Sequence, residues 1–409
     1  MRSETNTQTL ALQKCPNGDT SAKVCLHVLR EGQYDTRAMR EATTLTEAGF
    51  EVTILDVVYA HARPGEEKIR GFRMKHLLIP DWHTARRSEG LFFLKAVQTF
   101  IRSCRQLFLC SADIYHASEL TALPACYLVA KLRRKPLIFE VYDLQFPAPA
   151  TGITFWRKLG GLLDLLQAWI LPRCTAIIAT SPLHAEELCK RYHISDVTLV
   201  RNAPVYREVV RGDRLRQRLN LPPEVRIVLY QGGLQRGRGL ESLVCAAPFL
   251  QKDIVIIMMG QDMHETRSVL EGLIDCHNVA DRVKIISEVP YAELLEWTAS
   301  ADIGVTILPP DYSLNVRTSL PNKFFEYVMA GLPVLSSSLP AIVEVLQLYN
   351  IGRIVSSLAP EDIGAAINTM LEDQVALTRM RENTRKAARE CCWEKDGTRL
   401  VGLYQEIIK

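Results

Sequence analysis

The chain contains no run of eighteen or more apolar residues free of charge, so nothing in it reads as a transmembrane helix. Its opening, MRSETNTQTLALQKCPNGDTSA, lacks the apolar centre of a signal peptide and reads as a polar tail over 1–22. No CxxC pair occurs among the 11 cysteines, and Cys391 and Cys392 are adjacent. That absence argues against a zinc site or a disulfide framework, and points to reduced thiols in a cytoplasm. The net charge of +3 is too small to suggest a nucleic-acid partner. No short repeat of solenoid type is present. What remains is 409 residues, 23% charged and 47% hydrophobic, which is an ordinary globular composition and too long for one typical core.

Apolar runs alternate with helical patterns along the chain. VCLHVL (24–29), then DTRAMREATTLTEAG (35–49) ended by Gly49, then EVTILDVV make a βαβ unit. Further strands are expected in DIYHA (113–117), PLIFEVY (136–142), TAIIATS (175–181) and VTLVRN (197–202). Charge and proline interrupt the rhythm over 203–225, and a domain boundary is expected there, with an N-terminal domain over 23–205. A second series follows, RIVLYQGG, DIVIIMMG, RVKIIS, DIGVTIL and LPVLSSS, in a C-terminal domain over 206–385, and the chain is helical to its end. Residues 386–409 are expected to form a helix that returns to the N-terminal domain. Such apolar runs suit parallel strands covered on both faces. The fold class is α/β, two doubly wound Rossmann-like domains, which bind ligands at the carboxyl ends of their strands.

Two stretches could carry chemistry. In SLPNKFFEYVMAGLPVLSSS (319–338) Ser319 suits a helix cap, Pro321 its first turn and Gly331 its end. Glu326 lies off the apolar stripe and shares a face with Asn322 and Lys323. The free N–H groups of the first turn favour an anion. Two readings stand: a solvated surface acid, or an acid accepting hydrogen bonds from sugar hydroxyls beside a bound phosphate. In VLYQGGLQRGRGLESL (228–243) a strand runs into Gly232 and Gly233, and Arg236 and Arg238 bring two guanidiniums to the loop. This loop is neither GxGxxG nor a P-loop, so it supports neither a dinucleotide nor a kinase reading. It is either a turn with solvated arginines or half of a diphosphate cradle.

GGLQRGRGLESL and SLPNKFFEYVMAGLPVLSSSLPAIVEVL resemble the C-terminal domain of GT-B glycosyltransferases of family 4, the "glycosyl transferases group 1" type. DTRAMREATTLTEAGFEVTIL, DIYHASELTALPACYLVAKL and VTLVRNAP resemble pieces of its N-terminal domain, in the same order. The resemblance spans roughly residues 24–400. It implies two domains facing across a cleft, and transfer of a sugar from a nucleotide-diphosphate sugar to an acceptor with retention of configuration. No resident cofactor or catalytic metal is implied, and no DxD triplet is present. By position it implies that Glu326 contacts the ribose and that backbone at Thr318, Ser319, Leu320, Asn322 and Lys323 holds the donor. Arg238 takes the place of the usual lysine. Gly232 and Gly233 line the cradle; the usual arginine falls at Gly233, and Arg236 is the candidate to substitute for it. The usual sugar-contacting glutamate falls at Thr318. His116 matches a histidine beside the donor sugar, although a lone histidine at a strand end is also a common structural residue. Gly32 sits in the loop after the first strand, and Asp143 and Asn202 follow strands as cleft-lining candidates.

The acceptor is expected to be a glycan, a lipid-linked or a small molecule, in cell-surface polysaccharide or glycoconjugate synthesis. A catalytically silent nucleotide-sugar-binding partner and a sugar-nucleotide epimerase remain alternatives, as does a pyridoxal-phosphate phosphorylase of the same fold. Residues 85–109 and 155–173 read as basic amphipathic helices that either pack on the N-terminal sheet or touch the inner face of a membrane.

Overall fold

The computed structural model describes residues 22–59, 65–79, 89–144, 161 and 164–409. The chain divides into two compact units. One holds the described residues up to Val200 together with Asp396–Lys409, and the other holds Arg201–Lys395.

The first unit contains β1 (Lys23–His27), β2 (Glu51–Tyr59), β3 (Glu66–Ile69), β4 (Phe72–Ile79), β5 (Ile114–Ala117), β6 (Leu137–Val141), β7 (Ala176–Ala179) and β8 (Thr198–Leu199). They lie in the order β3-β4-β2-β1-β5-β6-β7-β8. Every pair is parallel except β3–β4. That hairpin turns at Arg70 and Gly71, both at positive φ, and the alternating sequence did not announce it. The Thr36–Glu47 helix begins where the Asp35 carboxylate accepts from the Arg37 and Ala38 amides at 3.1 and 3.0 Å.

The second unit contains β9 (Arg226–Gln231), β10 (Ile254–Met259), β11 (Val283–Ile286), β12 (Ile303–Thr306), β13 (Val334–Ser336) and β14 (Gly352–Ile354). Their order is β11-β10-β9-β12-β13-β14, all parallel. Val228, Tyr230, Ile256, Met258, Ile303 and Val305 pack one face of this sheet against the Leu240–Cys245 and Pro360–Glu372 helices. β9 and β10 are buried on both faces, which is why they read as unbroken apolar runs.

The segment 203–225 lies inside the second unit. Asp302, just before β12, fastens it by accepting from Arg216 at 2.8 Å and from the Ile227 amide at 2.8 Å. The Gln374–Glu390 helix also belongs to this unit, and only Asp396–Lys409 rejoin the first. Of the two amphipathic stretches, one is the Glu89–Cys110 helix; in the other, 164–170 is helical. Residues 85–88, 155–160, 162 and 163 lie outside the described residues. Among the described residues no helix is long and apolar enough to cross a membrane.

Candidate functional site

Each sheet reverses its winding once, between β1 and β5 in the first unit and between β9 and β12 in the second. Open parallel sheets bind ligands just beyond the carboxyl ends of the strands at such a reversal. In the second unit this point gathers the candidate residues.

Gln231 ends β9 and is almost fully buried. Its Oε1 accepts from Thr298 Oγ1 at 2.7 Å, which turns its Nε2 onto the Glu326 carboxylate at 2.6 Å. The Gln231 amide donates to the Tyr327 hydroxyl at 3.0 Å, and that hydroxyl donates toward the Leu229 and Val305 carbonyls at 3.1 and 3.2 Å. Tyr327 can lie flat on β12 because residue 304 is glycine; a Cβ there would meet its ring at 2.6 Å. Glu326 is therefore half-buried and oriented, which decides against the solvated surface acid. Sequence reasoning missed Gln231, Thr298 and Tyr327. The signal for Gln231 was a polar residue ending an apolar strand directly before two glycines.

Lys323 sits on the same helix, Asn322–Met329, with 9% exposure, its Nζ 3.6 Å from the centre of the Tyr230 ring. Burial lowers its ammonium pKa and the Arg238 charge lowers it further, against the pull of Glu326, leaving it at about 7. Gly232 has φ +115, and a Cβ there would lie 3.3 Å from Lys323 Nζ. The bare backbone thus leaves an open face beside an ammonium. Arg238 is half-buried, and its Nε has no hydrogen-bond partner. Arg236 is exposed in the same loop, and Gly233 takes the Tyr230 hydroxyl on its carbonyl at 3.0 Å.

Gly239 closes this loop at φ +78, where a Cβ would lie 1.8 Å from the Ile307 carbonyl oxygen. Gly239→Ala is expected to cost about 3 kcal/mol from left-handed strain and displaced backbone. Urea denaturation measures it.

Several assignments change. Ser319 does not cap the Glu326 helix; it ends the Leu314–Thr318 helix, and the N-cap residue is Pro321, which makes no side-chain cap. A short helix not foreseen in the sequence takes up Ser319. The Thr318 hydroxyl donates to the Leu314 carbonyl of its own helix at 2.8 Å, and Leu320 is buried. Asn322 accepts from Asn202 at 2.8 Å, so Asn202 braces the start of the site helix.

In the first unit, Gly32 donates its amide to Asp56 Oδ2 at 2.8 Å, so that amide is already engaged. Asp143 lines a small cavity with Arg30, Glu119 and Tyr142 at the ends of β5 and β6. His116 lies within β5, not at its end, and is fully buried. Its Nδ1 is 2.7 Å from the Tyr404 hydroxyl and its Nε2 is 3.5 Å from Glu140. The residue after the strand is Ser118. His116 is thus a member of a buried network with Glu41, Glu140 and Arg37. Among the described residues, Glu41, His116 and Glu140 form the group whose ligand atoms come close enough for a metal. Arg37 pairs with both carboxylates, at 3.0 Å to Glu41 and by Nε at 2.8 Å to Glu140, so a fixed cation already occupies that role.

The family model "Glycosyl transferases group 1" matches residues 212–390, and "Glycosyltransferase Family 4" matches residues 35–203. A D-inositol 3-phosphate glycosyltransferase of Xylanimonas cellulosilytica is 23% identical over 252 residues, 57% of each chain. One from Catenulispora acidiphila is 22% identical over 316 residues, 73% of each. The match to the first of these spans little more than half of that relative's length. Among solved structures, sucrose-phosphate synthase from Thermosynechococcus elongatus aligns with TM-score 0.74 and 18% identity, covering 95% of this chain and 99% of that one. Anabaena HepE in complex with UDP-glucose aligns with TM-score 0.67 and 13% identity, covering 94% and 99%. Two parallel α/β units, the reversal points of their sheets and the two family matches in series agree: the chain belongs to the GT-B glycosyltransferases of family 4, the glycosyl transferases group 1 type.

Proposed function

We propose that this chain transfers a glycosyl group from a nucleoside diphosphate sugar to a glycan, lipid-linked or small-molecule acceptor, with retention of anomeric configuration. The observation that carries the reading is the Glu326 carboxylate, oriented by Gln231 beside the Lys323 ammonium at the end of β9. Glu326 accepts from the ribose hydroxyls. Lys323, Arg238 and the uncapped start of the Asn322–Met329 helix hold the diphosphate. Negative charge develops on that diphosphate as the sugar leaves, and fixed donors aimed at it lower the barrier. Losing one such donor typically costs about 3–4 kcal/mol of transition-state stabilisation. Two side-chain cations supply the positive charge, so no resident metal or cofactor is part of the proposal.

HepE was solved with UDP-glucose and the curated relatives are named for D-inositol 3-phosphate. Uridine donors and inositol phosphate are therefore the first probes. The full chain is incubated with donor and acceptor, nucleoside diphosphate release is followed, and the anomeric configuration of the product is read by NMR. Release with retention is expected. Inversion would overturn the retaining mechanism, and donor binding without any release would favour the silent partner protein.

Lys323 also gives the donor site a pH dependence. The diphosphate favours the protonated ammonium, so binding takes up a proton wherever free Lys323 is neutral. Affinity is then full below about 7 and falls as pH rises above it, by up to about tenfold per unit. Lys323→Met is expected to bind more weakly and to flatten that slope, which a titration series across pH detects.

A further inference from the structure

The second unit gathers cations at the amino-terminal edge of its sheet that its acids do not balance. Residues 207–218 hold five arginines and two acids, and residues 379–389 hold five basic residues and one acid. The two stretches meet at Asp302, which is buried immediately before β12. Its Oδ1 accepts from Arg211 Nη2 and from Arg381 Nη2, the latter at 3.1 Å. Its Oδ2 accepts from Arg216 Nη2 and from the Ile227 amide, both at 2.8 Å. Four donors fill the lone pairs of one carboxylate, so Asp302 can compensate no further cation.

Three guanidiniums thus share a single negative charge. Among the described residues only Arg216 of the three has a second acid, Asp213 at 2.9 Å. Arg385 lies one turn beyond Arg381 on the Gln374–Glu390 helix, and no acid among the described residues pairs with it. Neighbouring acids are taken: Glu293 pairs with Arg214 at 2.8 Å, and Glu296 pairs with Arg207. Arg211, Arg216, Arg381 and Arg385 therefore face Asp213 and Asp302, four cations against two anions. Burial and the Arg211 charge lower the Arg381 pKa, the Arg385 charge adds to them, and Asp302 offsets them only in part. Arg211 and Arg385 are exposed, whereas Arg381 is half-buried between helix and sheet, so the surplus charge opens to solvent. A surplus of this size calls for a dianion, and guanidinium edges fit the paired oxygens of a phosphate.

We infer that Arg211, Arg381 and Arg385 form a binding site for a phosphate dianion, either free or carried on a small-molecule monoester. The site stands apart from the donor cradle, because Asp302 precedes its strand while Gln231 and the Glu326 carboxylate lie at the carboxyl end of β9.

The test is calorimetric titration of the full chain with inorganic phosphate and, separately, with glycerol 3-phosphate, against chloride at matched ionic strength. Saturable binding of at least one phosphate is expected, and the tighter of the two names the source. Arg211→Gln with Arg385→Gln is expected to weaken it by about tenfold or more per arginine, while donor affinity is unchanged. Arg385→Gln alone removes no ion pair, so its urea midpoint should match the wild type and its loss of phosphate affinity remains readable if Arg211→Gln loosens the fold. Arg238→Gln, in the donor cradle, should leave phosphate affinity unchanged. No saturable heat with either phosphate, or equal heat from chloride, overturns the inference. So does phosphate binding that Arg238→Gln removes and the Arg211/Arg385 variant retains, which would assign the anion to the donor cradle.

Discussion

Arg37→Met is expected to lower the stability of the chain by about 3–5 kcal/mol, the usual cost of stripping one partner from a buried ionic group. Arg37 is 3% exposed and binds Glu140, Glu41 and, through Nη2, the Val200 carbonyl at 2.9 Å. Burial alone would raise the Glu140 carboxyl, but the Arg37 charge and the His116 hydrogen bond override it and hold it at about 2. Glu41 is pushed the other way, well up, by burial and by the Glu140 charge. Without Arg37 the Glu140 charge loses its largest compensation. Adding Glu140→Gln and Glu41→Gln to Arg37→Met should therefore recover part of the loss, and Arg37→Lys should not, since an ammonium cannot reach all three acceptors. Midpoints of urea unfolding decide this. A loss below about 1 kcal/mol in the single variant would mean that the network is not rigidly held.

The same groups set the acid limit. Glu140 has a folded pKa below its unfolded 4.5, so its contribution is full above 4.5 and is lost as pH falls through about 2. His27 is lowered from 6.5 to about 4 by burial, against a hydrogen bond to the Leu55 carbonyl. Its contribution is full above 6.5 and is lost as pH falls toward 4. Stability should thus decline in two stages on acidification.

Glu326→Ala is expected to weaken nucleotide-sugar binding about 100-fold, because two hydrogen bonds to a charged acceptor are lost at once. Its stability cost should stay near 1 kcal/mol, since the Gln231 side-chain amide loses a partner while the carboxylate is half-exposed. Gln231→Leu should give a smaller loss of affinity, with Glu326 present but no longer aimed. That contrast separates a ligand-binding acid from a structural one.

The sequence made the second unit legible because central parallel strands declare themselves as apolar runs with glycines at their ends; β9 and β10 fall within one or two residues of expectation. The antiparallel β3–β4 hairpin escaped notice because its turn, Arg70–Gly71, lies inside a charged stretch that imitates a loop. At the site, Glu326, Lys323, Arg238 and Gly232 come together as expected. His116 belongs to the first unit and is buried there beside Tyr404 and Glu140. The helix start also differed, because the Leu314–Thr318 helix claims Ser319. Gln231 and Thr298 meet across 67 residues of chain, a pairing that only the fold discloses.

The most direct test is calorimetric titration of the full chain with UDP-, GDP-, ADP- and dTDP-sugars, repeated with Glu326→Ala. One nucleotide series should bind with a dissociation constant between about 1 μM and 1 mM and lose that affinity in the variant. Binding equal in wild type and variant would contradict the placement of the donor at Glu326. No binding of any donor to the folded chain would contradict the cradle itself.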